Sequence, residues 1–164
     1  MFSLEIRPRD AIAWTSKGNV LLDLEKHDEA FCCYDKVLEI HPRNTLAWNS
    51  KGNAFASLGK YQEAIECYDK ALEIIPRTDE EWGYVCYNKG HSLENFGKNQ
   101  EAIECYDKAL EIIPRNKQAW YSKGIALTNL GKKQEAIICF QKFIDLASPQ
   151  DAIRVEQAKQ FIQI

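Results

Sequence analysis

Hydrophobic positions along this chain are spaced as they are on helices, rather than alternating as they do on strands. Between Trp48 and Leu58 the apolar residues fall seven and three apart, and between Ala64 and Ile75 they fall three or four apart. Such spacing places them on one face of an α-helix. A glycine ends the first run and a proline ends the second, which suits residues that stop helices. The pattern predicts two helices joined by a turn of about three residues.

This helical pair recurs along the chain. Residues 59–77 read GKYQEAIECYDKALEIIPR, and residues 97–115 repeat that segment with only Asn99 in place of Tyr61. Looser copies fill the remaining sequence at spacings of 34, 38 and 34 residues. The positions that carry this period are Gly18, Gly52, Gly90, Gly124, Ala30, Ala64, Ala102, Ala136, Tyr34, Tyr68, Tyr106 and Phe140. A period of this length predicts an array of stacked helical hairpins.

The order of residues within each unit matches a known family. A tryptophan lies four residues before the glycine in three of the four units, and a proline closes each unit. With the alanine and the aromatic residue of the second helix, this order resembles the tetratricopeptide repeat family over residues 11–150. The resemblance implies that the four hairpins of this all-α fold stack into an alpha-alpha superhelix (solenoid), to which the sequence adds a C-terminal capping helix. It also implies that the first helices line a concave groove for peptides.

The repeat period sets the expected boundaries. Residues 4–10 copy residues 38–44, so residues 1–10 are expected to be the remnant of a preceding repeat, in a fragment or a trimmed gene. An apolar stripe after Pro149 predicts a capping helix at residues 151–164, of the kind that such arrays require. The four repeats are expected at residues 11–44, 45–78, 79–116 and 117–150.

Two repeats depart from the pattern. The third has four extra residues, and Thr78 with Glu81 forms the pattern of a capping box in which Thr78 is the N-cap. Four residues make about one helical turn, so its first helix is expected to begin one turn early; a looped-out insertion is the alternative. Gly83 inside that helix costs about 1 kcal/mol relative to alanine. In the first repeat Glu25 replaces the turn glycine, which predicts a strained turn.

Composition excludes several classes of partner. Of the 164 residues, 45% are hydrophobic and 27% are charged, with a net charge of −3. This is typical of a soluble globular protein and lacks the positive charge of a nucleic-acid-binding surface. No apolar run approaches the ~20 residues of a membrane span, and no signal peptide is visible. We predict a cytoplasmic protein that binds neither nucleic acid nor membrane.

Residues suited to metal or covalent chemistry lack the spacing that such chemistry needs. Four of the six cysteines occupy one position in successive repeats, too far apart for disulfides and without C-x-x-C spacing. We expect them to extend the apolar stripe. His91 and Glu94, on one helix face, come nearest to an acid–base pair, but no histidine has a nucleophile at triad spacing. No glycine loop for phosphate occurs. We predict no enzyme activity, no metal and no cofactor.

The face of the first helices opposite the tryptophan and glycine packing is expected to line the groove. It carries asparagines and tyrosines but no lysine or arginine. Asparagine amides both donate and accept hydrogen bonds, so they can pair with the backbone of an extended peptide, and tyrosines add rigid contact area. The predicted groove residues are Thr15, Asn19, Asn49, Asn53, Tyr84, Tyr87, Asn88, His91, Tyr121 and Ile125.

Chaperone-binding members of the family instead clamp a C-terminal carboxylate with lysine and arginine. Asn19 matches one asparagine of that clamp, but Thr15 stands where a lysine is needed, so we predict that this chain is not of the carboxylate-clamp type. The leading hypothesis is a non-catalytic protein–protein interaction scaffold that binds an extended peptide segment of a protein partner. The alternatives are a self-assembling structural module, associating through its uncapped N-terminal end, and the targeting domain of a larger enzyme.

Overall fold

Nine α-helices make up most of the chain that the structure describes. The computed structural model describes residues 8–163, with side chains from Asp10 onward, and has no strand in that range. The helices are α1 (Pro8–Asp23), α2 (His27–Ile40), α3 (Thr45–Ser57), α4 (Tyr61–Leu72), α5 (Glu80–Asn95), α6 (Asn99–Ile112), α7 (Lys117–Asn129), α8 (Lys133–Leu146) and α9 (Ala152–Gln163). The predicted all-α fold is confirmed, whereas the predicted repeat remnant lies largely outside the described residues.

The helices pair in sequence order, α1 with α2, α3 with α4, α5 with α6 and α7 with α8. They belong to two compact units, the first containing α1–α4 and ending at Pro76, the second beginning at Arg77 and containing α5–α9. In unit 1 the buried residues include Tyr34, Val37 and Tyr68, and in unit 2 they include Tyr106 and Phe140. Each unit therefore has its own hydrophobic core.

Within each hairpin the recurring glycine of the first helix lies against the recurring aromatic ring of the second. A Cβ atom built on Gly52 would lie 2.6 Å from Cε1 of Tyr68, and one built on Gly124 would lie 2.7 Å from Cε1 of Phe140. Side-chain carbons do not approach one another this closely, so only glycine permits the observed helix separation. The glycine and the aromatic residue therefore recur together because they are two sides of one contact.

The tryptophans connect a hairpin to the loop that precedes it. The indole nitrogen of Trp48 donates to the carbonyl oxygen of Pro42 at 2.8 Å, and that of Trp120 donates to Pro114 at 2.9 Å. Trp48 is half-buried and packs on a cluster that includes Val37 of α2. The tryptophan thus satisfies a loop carbonyl while it packs between the two hairpins of unit 1.

The extra residues of the third repeat lengthen α5 at its start. This helix begins ten residues before Gly90, whereas α3 and α7 begin seven residues before their glycines. The predicted early start is confirmed and the looped-out alternative is wrong. The N-cap is Asp79 rather than Thr78, because its carboxylate accepts from the backbone N–H of Glu81 at 3.0 Å. Gly83 lies against Ile113, whose Cδ1 would be 3.0 Å from an added Cβ, so this glycine serves close packing.

The turn between α1 and α2 holds the predicted strain. Glu25 has a φ of 60°, in the left-handed region that favours glycine. At the corresponding position of the other three hairpins, glycines have φ between 71° and 86°. Unit 1 therefore has one strained turn, at Glu25, and one relaxed turn, at Gly59.

Helix α9 packs on the last hairpin of unit 2. Ala158 is fully buried, and the ring of Phe161 stacks on Phe140 at a centroid distance of 4.8 Å. Before the helix, Asp151 accepts hydrogen bonds from Lys117 at 2.6 Å and from the backbone and hydroxyl of Ser148 at 2.7 Å. These bonds hold the pKa of Asp151 well below its ordinary value. The predicted capping helix is confirmed.

Candidate functional site

Asn19 and Asn53 of unit 1 are exposed residues that also form hydrogen bonds with buried tyrosines. Asn19 accepts a hydrogen bond from the hydroxyl of Tyr34 at 2.7 Å, and Asn53 accepts one from Tyr68 at 2.8 Å. Both tyrosine rings are buried, and a buried hydroxyl without a partner is costly. Each asparagine oxygen is thus used within its own hairpin, while the residue itself remains exposed. The amide nitrogen takes no part in this bond.

The sequence contained a signal for this role. In the fourth hairpin the asparagine position is Ile125 and the tyrosine position is Phe140, so the acceptor and the hydroxyl are lost together. Ile125 is half-buried. A residue pair that changes together in this way indicates a contact between the two helices rather than two independent surface positions.

Thr15 does not lie on an open surface, contrary to the sequence expectation. It is 1% exposed, and its hydroxyl donates to the carbonyl oxygen of Ala11 at 2.8 Å, one helical turn earlier. At the same repeat position the longer side chains of Asn49, Tyr87 and Tyr121 are half-buried. The short threonine side chain bonds back to its own helix instead of reaching solvent.

The first helices of unit 2, α5 and α7, carry the tyrosines. Tyr84 is 51% exposed, while Tyr87 and Asn88 are half-buried. The ring of Tyr87 lies 6.0 Å from that of Tyr106 and 6.4 Å from the exposed His91. Burial raises the pKa of the Tyr87 phenol, and a hydrogen bond with Ser122 of α7 partly offsets this effect. Tyr87 thus links α5 to both α6 and α7.

Tyr121 of α7 is held from two sides. Its ring meets Phe140 and Phe143 edge-on at centroid distances of 5.7 and 5.0 Å. Its hydroxyl donates to Gln157 of α9 at 3.0 Å, and the guanidinium carbon of Arg154 lies 5.7 Å from its ring centre. The tyrosine is therefore fixed in orientation by the core beneath it and by α9 beside it.

Helix α9 places a positive charge, that of Arg154, next to Tyr121 on the first-helix side of unit 2. The first helices themselves carry no lysine or arginine among the predicted groove positions. Burial raises the pKa of both Tyr87 and Tyr121, and Arg154 lies close enough to offset part of that rise. The expectation of a face without cations is therefore wrong for unit 2. The expectation considered only the first helices of the four hairpins, and α9 continues the same spacing, with Arg154 34 residues after Trp120.

Glu94 is the acidic group of unit 2 on this side of α5. Its Oε2 accepts a hydrogen bond from the hydroxyl of Tyr106 at 2.6 Å. Burial raises the pKa of Glu94, while the bond from Tyr106 and the nearby His91 act in the opposite direction. Burial and the neighbouring carboxylate also raise the pKa of Tyr106. Because Tyr106 keeps its proton, its hydroxyl is the donor in this bond and the Glu94 oxygen is the acceptor.

The described residues include no disulfide and no cluster of side chains suited to bind a metal ion. Five cysteines are buried and Cys32 is exposed, and all six are free thiols. Burial raises the pKa of Cys67 and Cys139 to about 11 and that of Cys86 to about 12, so these thiols are protonated and unreactive near neutral pH. Residues 8–163 hold no group of three or more histidine, cysteine or acidic side chains placed to bind a metal ion. In the same range no helix is both long and apolar enough to span a membrane.

Comparison with known proteins places this chain among helical-repeat proteins. Models of the tetratricopeptide repeat match residues 11–44, 45–77, 83–116 and 105–138. A search of curated protein sequences gave no significant match.

Three solved structures illustrate the structural likeness. The MamA protein is 22% identical, with a TM-score of 0.79 over 93% of this chain and 78% of that chain. The Sgt2 TPR domain from Aspergillus fumigatus is 24% identical, with a TM-score of 0.62 over 73% and 79%. The first TPR of Spaghetti (RPAP3), bound to the HSP90 peptide SRMEEVD, is 23% identical, with a TM-score of 0.69 over 79% and 99%. At these identities the likeness shows the fold.

Proposed function

The chain belongs to the tetratricopeptide repeat family, and from this premise we propose that it is a non-catalytic scaffold that binds an extended peptide segment of a protein partner. The neighbouring RPAP3 domain is a member of the same fold with a peptide bound. Here the binding surface is the first-helix face of unit 2, which we define as Tyr84, Tyr87, His91 and Glu94 of α5 with Tyr121 of α7. The amides of Asn19 and Asn53 offer a second, polar contact surface in unit 1.

One observation carries this proposal. Tyr84 exposes half of a large aromatic side chain on α5. Tyr87 of the same helix and Tyr121 of α7 have rings that pack against aromatic residues of the core. Rigid tyrosines supply contact area and a hydrogen-bonding tip at low entropic cost, which is why they recur at binding surfaces. About 8 kcal/mol corresponds to micromolar affinity. A few amide hydrogen bonds and two or three tyrosine contacts reach that range, so we expect weak, micromolar binding.

The proposal is tested with peptides selected from a random dodecapeptide library displayed on phage. Affinities of selected peptides are then measured by fluorescence anisotropy for the wild type, Tyr84→Ala and Ile138→Ala. We expect Tyr84→Ala to weaken binding about tenfold, because it removes an exposed aromatic contact of about 1.4 kcal/mol. Ile138 is 60% exposed on α8, away from the first helices, so Ile138→Ala is the matched control and should bind like the wild type. A library that yields no binder, or equal affinity for all three proteins, would contradict the proposal.

We propose self-association as a second function, because one face of α1 has no covering helix among the described residues. Ala13 and Val20 of α1 are exposed, although their counterparts Ala47 and Ala54 in α3 are completely buried. Val20 is 57% exposed, and Leu24, four residues further along the chain, is 63% exposed. The proposed occupant is the same face of a second copy. Light scattering after chromatography should show a mass that rises with concentration in the wild type and stays constant in Val20→Glu; a constant wild-type mass would exclude self-association.

A further inference from the structure

The third hairpin replaces a neutral hydrogen-bond acceptor with an anion. In the first two hairpins the buried tyrosine donates to an asparagine, but Tyr106 donates to Glu94 and the asparagine position is occupied by His91. An asparagine would satisfy the hydroxyl equally well, as it does in both hairpins of unit 1. The requirement of the core therefore does not explain why this acceptor is charged.

Glu94 is half-buried, and no lysine or arginine pairs with its carboxylate among the described residues. The nearby ionisable base is His91. A carboxylate offers about four lone-pair sites, and Tyr106 uses one of them. Taking a carboxylate out of water without a counter-ion is costly, and the raised pKa of Glu94 reflects this cost. A cation supplied by a ligand would offset it.

The surroundings of Glu94 suit an organic cation. Tyr84, Tyr87, His91 and Glu94 follow one another at three- and four-residue steps, so they lie on one side of α5. The Glu94 carboxylate is close enough to Tyr87 to raise the pKa of that phenol. Faces of aromatic rings attract lysine and arginine side chains, most strongly where water is partly excluded.

We propose that Glu94, with Tyr84 and Tyr87, forms a subsite that accepts one lysine or arginine side chain of the bound peptide. This inference rests on the proposed peptide-binding function and names the chemistry of its ligand. The basic side chain forms a charge-assisted hydrogen bond with Glu94, while its aliphatic stem packs on the tyrosine rings.

Arg154 limits the subsite to a single basic residue. It lies over the Tyr121 ring on the α9 side of the same face, 5.7 Å from the ring centre. A second basic side chain beside it would meet a like charge. The ligand expected for this face therefore has one basic position rather than a basic run, and the two charges of the face fix the direction in which the peptide binds.

The test uses the same random dodecapeptide library against three immobilised proteins, which are the wild type, Glu94→Gln and Glu104→Gln. In Glu94→Gln the new amide keeps an oxygen that can accept from Tyr106, so the substitution removes charge with little change of shape. Glu104 is an exposed acid of α6 away from the first helices, and its variant is the matched control. We expect the wild type and Glu104→Gln to select peptides with lysine or arginine enriched at one aligned position. Glu94→Gln should still select peptides, but without that enrichment.

A second measurement on the wild type alone keeps the test independent of the variant's folding. A selected basic peptide and its analogue with norleucine in place of the basic residue are titrated at two salt concentrations. The analogue should bind about tenfold more weakly, as one charge-assisted hydrogen bond predicts. Only the basic peptide should weaken as salt rises.

The outcomes separate the two proposals. Selected peptides without a basic position, or an enrichment that persists in Glu94→Gln, would overturn the Glu94 subsite while leaving peptide binding intact. Equal affinity of the basic peptide and its norleucine analogue would overturn it as well. If no protein selects any peptide, both the subsite and the proposed function are wrong.

Discussion

The two units share a contact between a helix glycine and a tyrosine ring, but the tyrosine hydroxyl donates to a different kind of acceptor in each unit. In unit 1, Gly52 admits the ring of Tyr68 and a neutral asparagine accepts the hydroxyl. In unit 2, Gly90 admits the ring of Tyr106, but the acceptor is the carboxylate of Glu94. The fold requires the glycine and the ring, whereas the acceptor can vary as long as the hydroxyl is satisfied. Because the acceptor can vary, unit 2 has a carboxylate at a place where unit 1 has a neutral amide.

The shared contact should produce the largest effect, and an equal one in both units. Gly52→Ala and Gly90→Ala each place a Cβ within 2.7 Å of a buried tyrosine ring, so we expect each to cost about 3 kcal/mol of unfolding free energy. Denaturant midpoints measure this cost. Gln62→Ala at an exposed position of α4 is the control and should change the midpoint little. If only one of the two variants lost stability, the glycine–tyrosine contact would not be equivalent in the two units.

The hydroxyl of the tyrosine should matter more in unit 2. Tyr68→Phe removes one hydrogen bond to a neutral amide, at a cost of about 1 kcal/mol, whereas Tyr106→Phe leaves a half-buried carboxylate without its donor and should cost about 2 kcal/mol. Because Glu94 has a raised pKa, it is protonated as pH falls, so the excess cost of Tyr106→Phe should shrink in acid. Equal costs at all pH values would show that the charge of Glu94 is not held by Tyr106.

Removing both partners in unit 1 should restore most of the loss. The fourth hairpin already has isoleucine and phenylalanine at these positions, so Asn53→Ile combined with Tyr68→Phe imitates a natural pair. We expect the double variant to lie within about 0.5 kcal/mol of the wild type, because no buried polar group is left unpaired. A double-mutant cycle with both single variants measures the coupling, and strictly additive losses would argue against the contact.

The smallest effect concerns the turns of unit 1. Glu25 has positive φ, so Glu25→Gly should stabilise the protein by about 0.5–1 kcal/mol. Gly59→Ala is the opposite change at the equivalent turn, where an added Cβ meets no atom within 4 Å. It should cost a similar amount through backbone strain alone. Thermal midpoints that move in the same direction for both variants would contradict this explanation.

The repeat pattern predicts the fold well because helical spacing and the period depend on local sequence. The glycine and aromatic positions carry both signals, and the early start of α5 follows from counting residues. The identity of its cap does not, since Thr78 and Asp79 are both good caps and geometry selects Asp79. Such a choice depends on backbone dihedral angles that composition does not specify.

The candidate binding face is harder to predict because side-chain direction depends on neighbouring helices. Asn19 resembles a ligand-binding residue in the sequence, yet its oxygen accepts from Tyr34. Thr15 occupies a face position but is too short to leave the helix interface. Arg154 belongs to a helix that the pattern identified only as a cap. Each case needs the distance between two helices, which sequence spacing along one helix does not contain.

The most direct test concerns Glu94, a half-buried carboxylate that pairs with no lysine or arginine among the described residues. Carbon-detected NMR of side-chain carboxyls can follow its titration directly in the free protein and with a bound basic peptide. We predict a pKa above the ordinary range of glutamate in the free protein and a lower pKa in the complex. An ordinary or depressed pKa in the free protein would contradict the account.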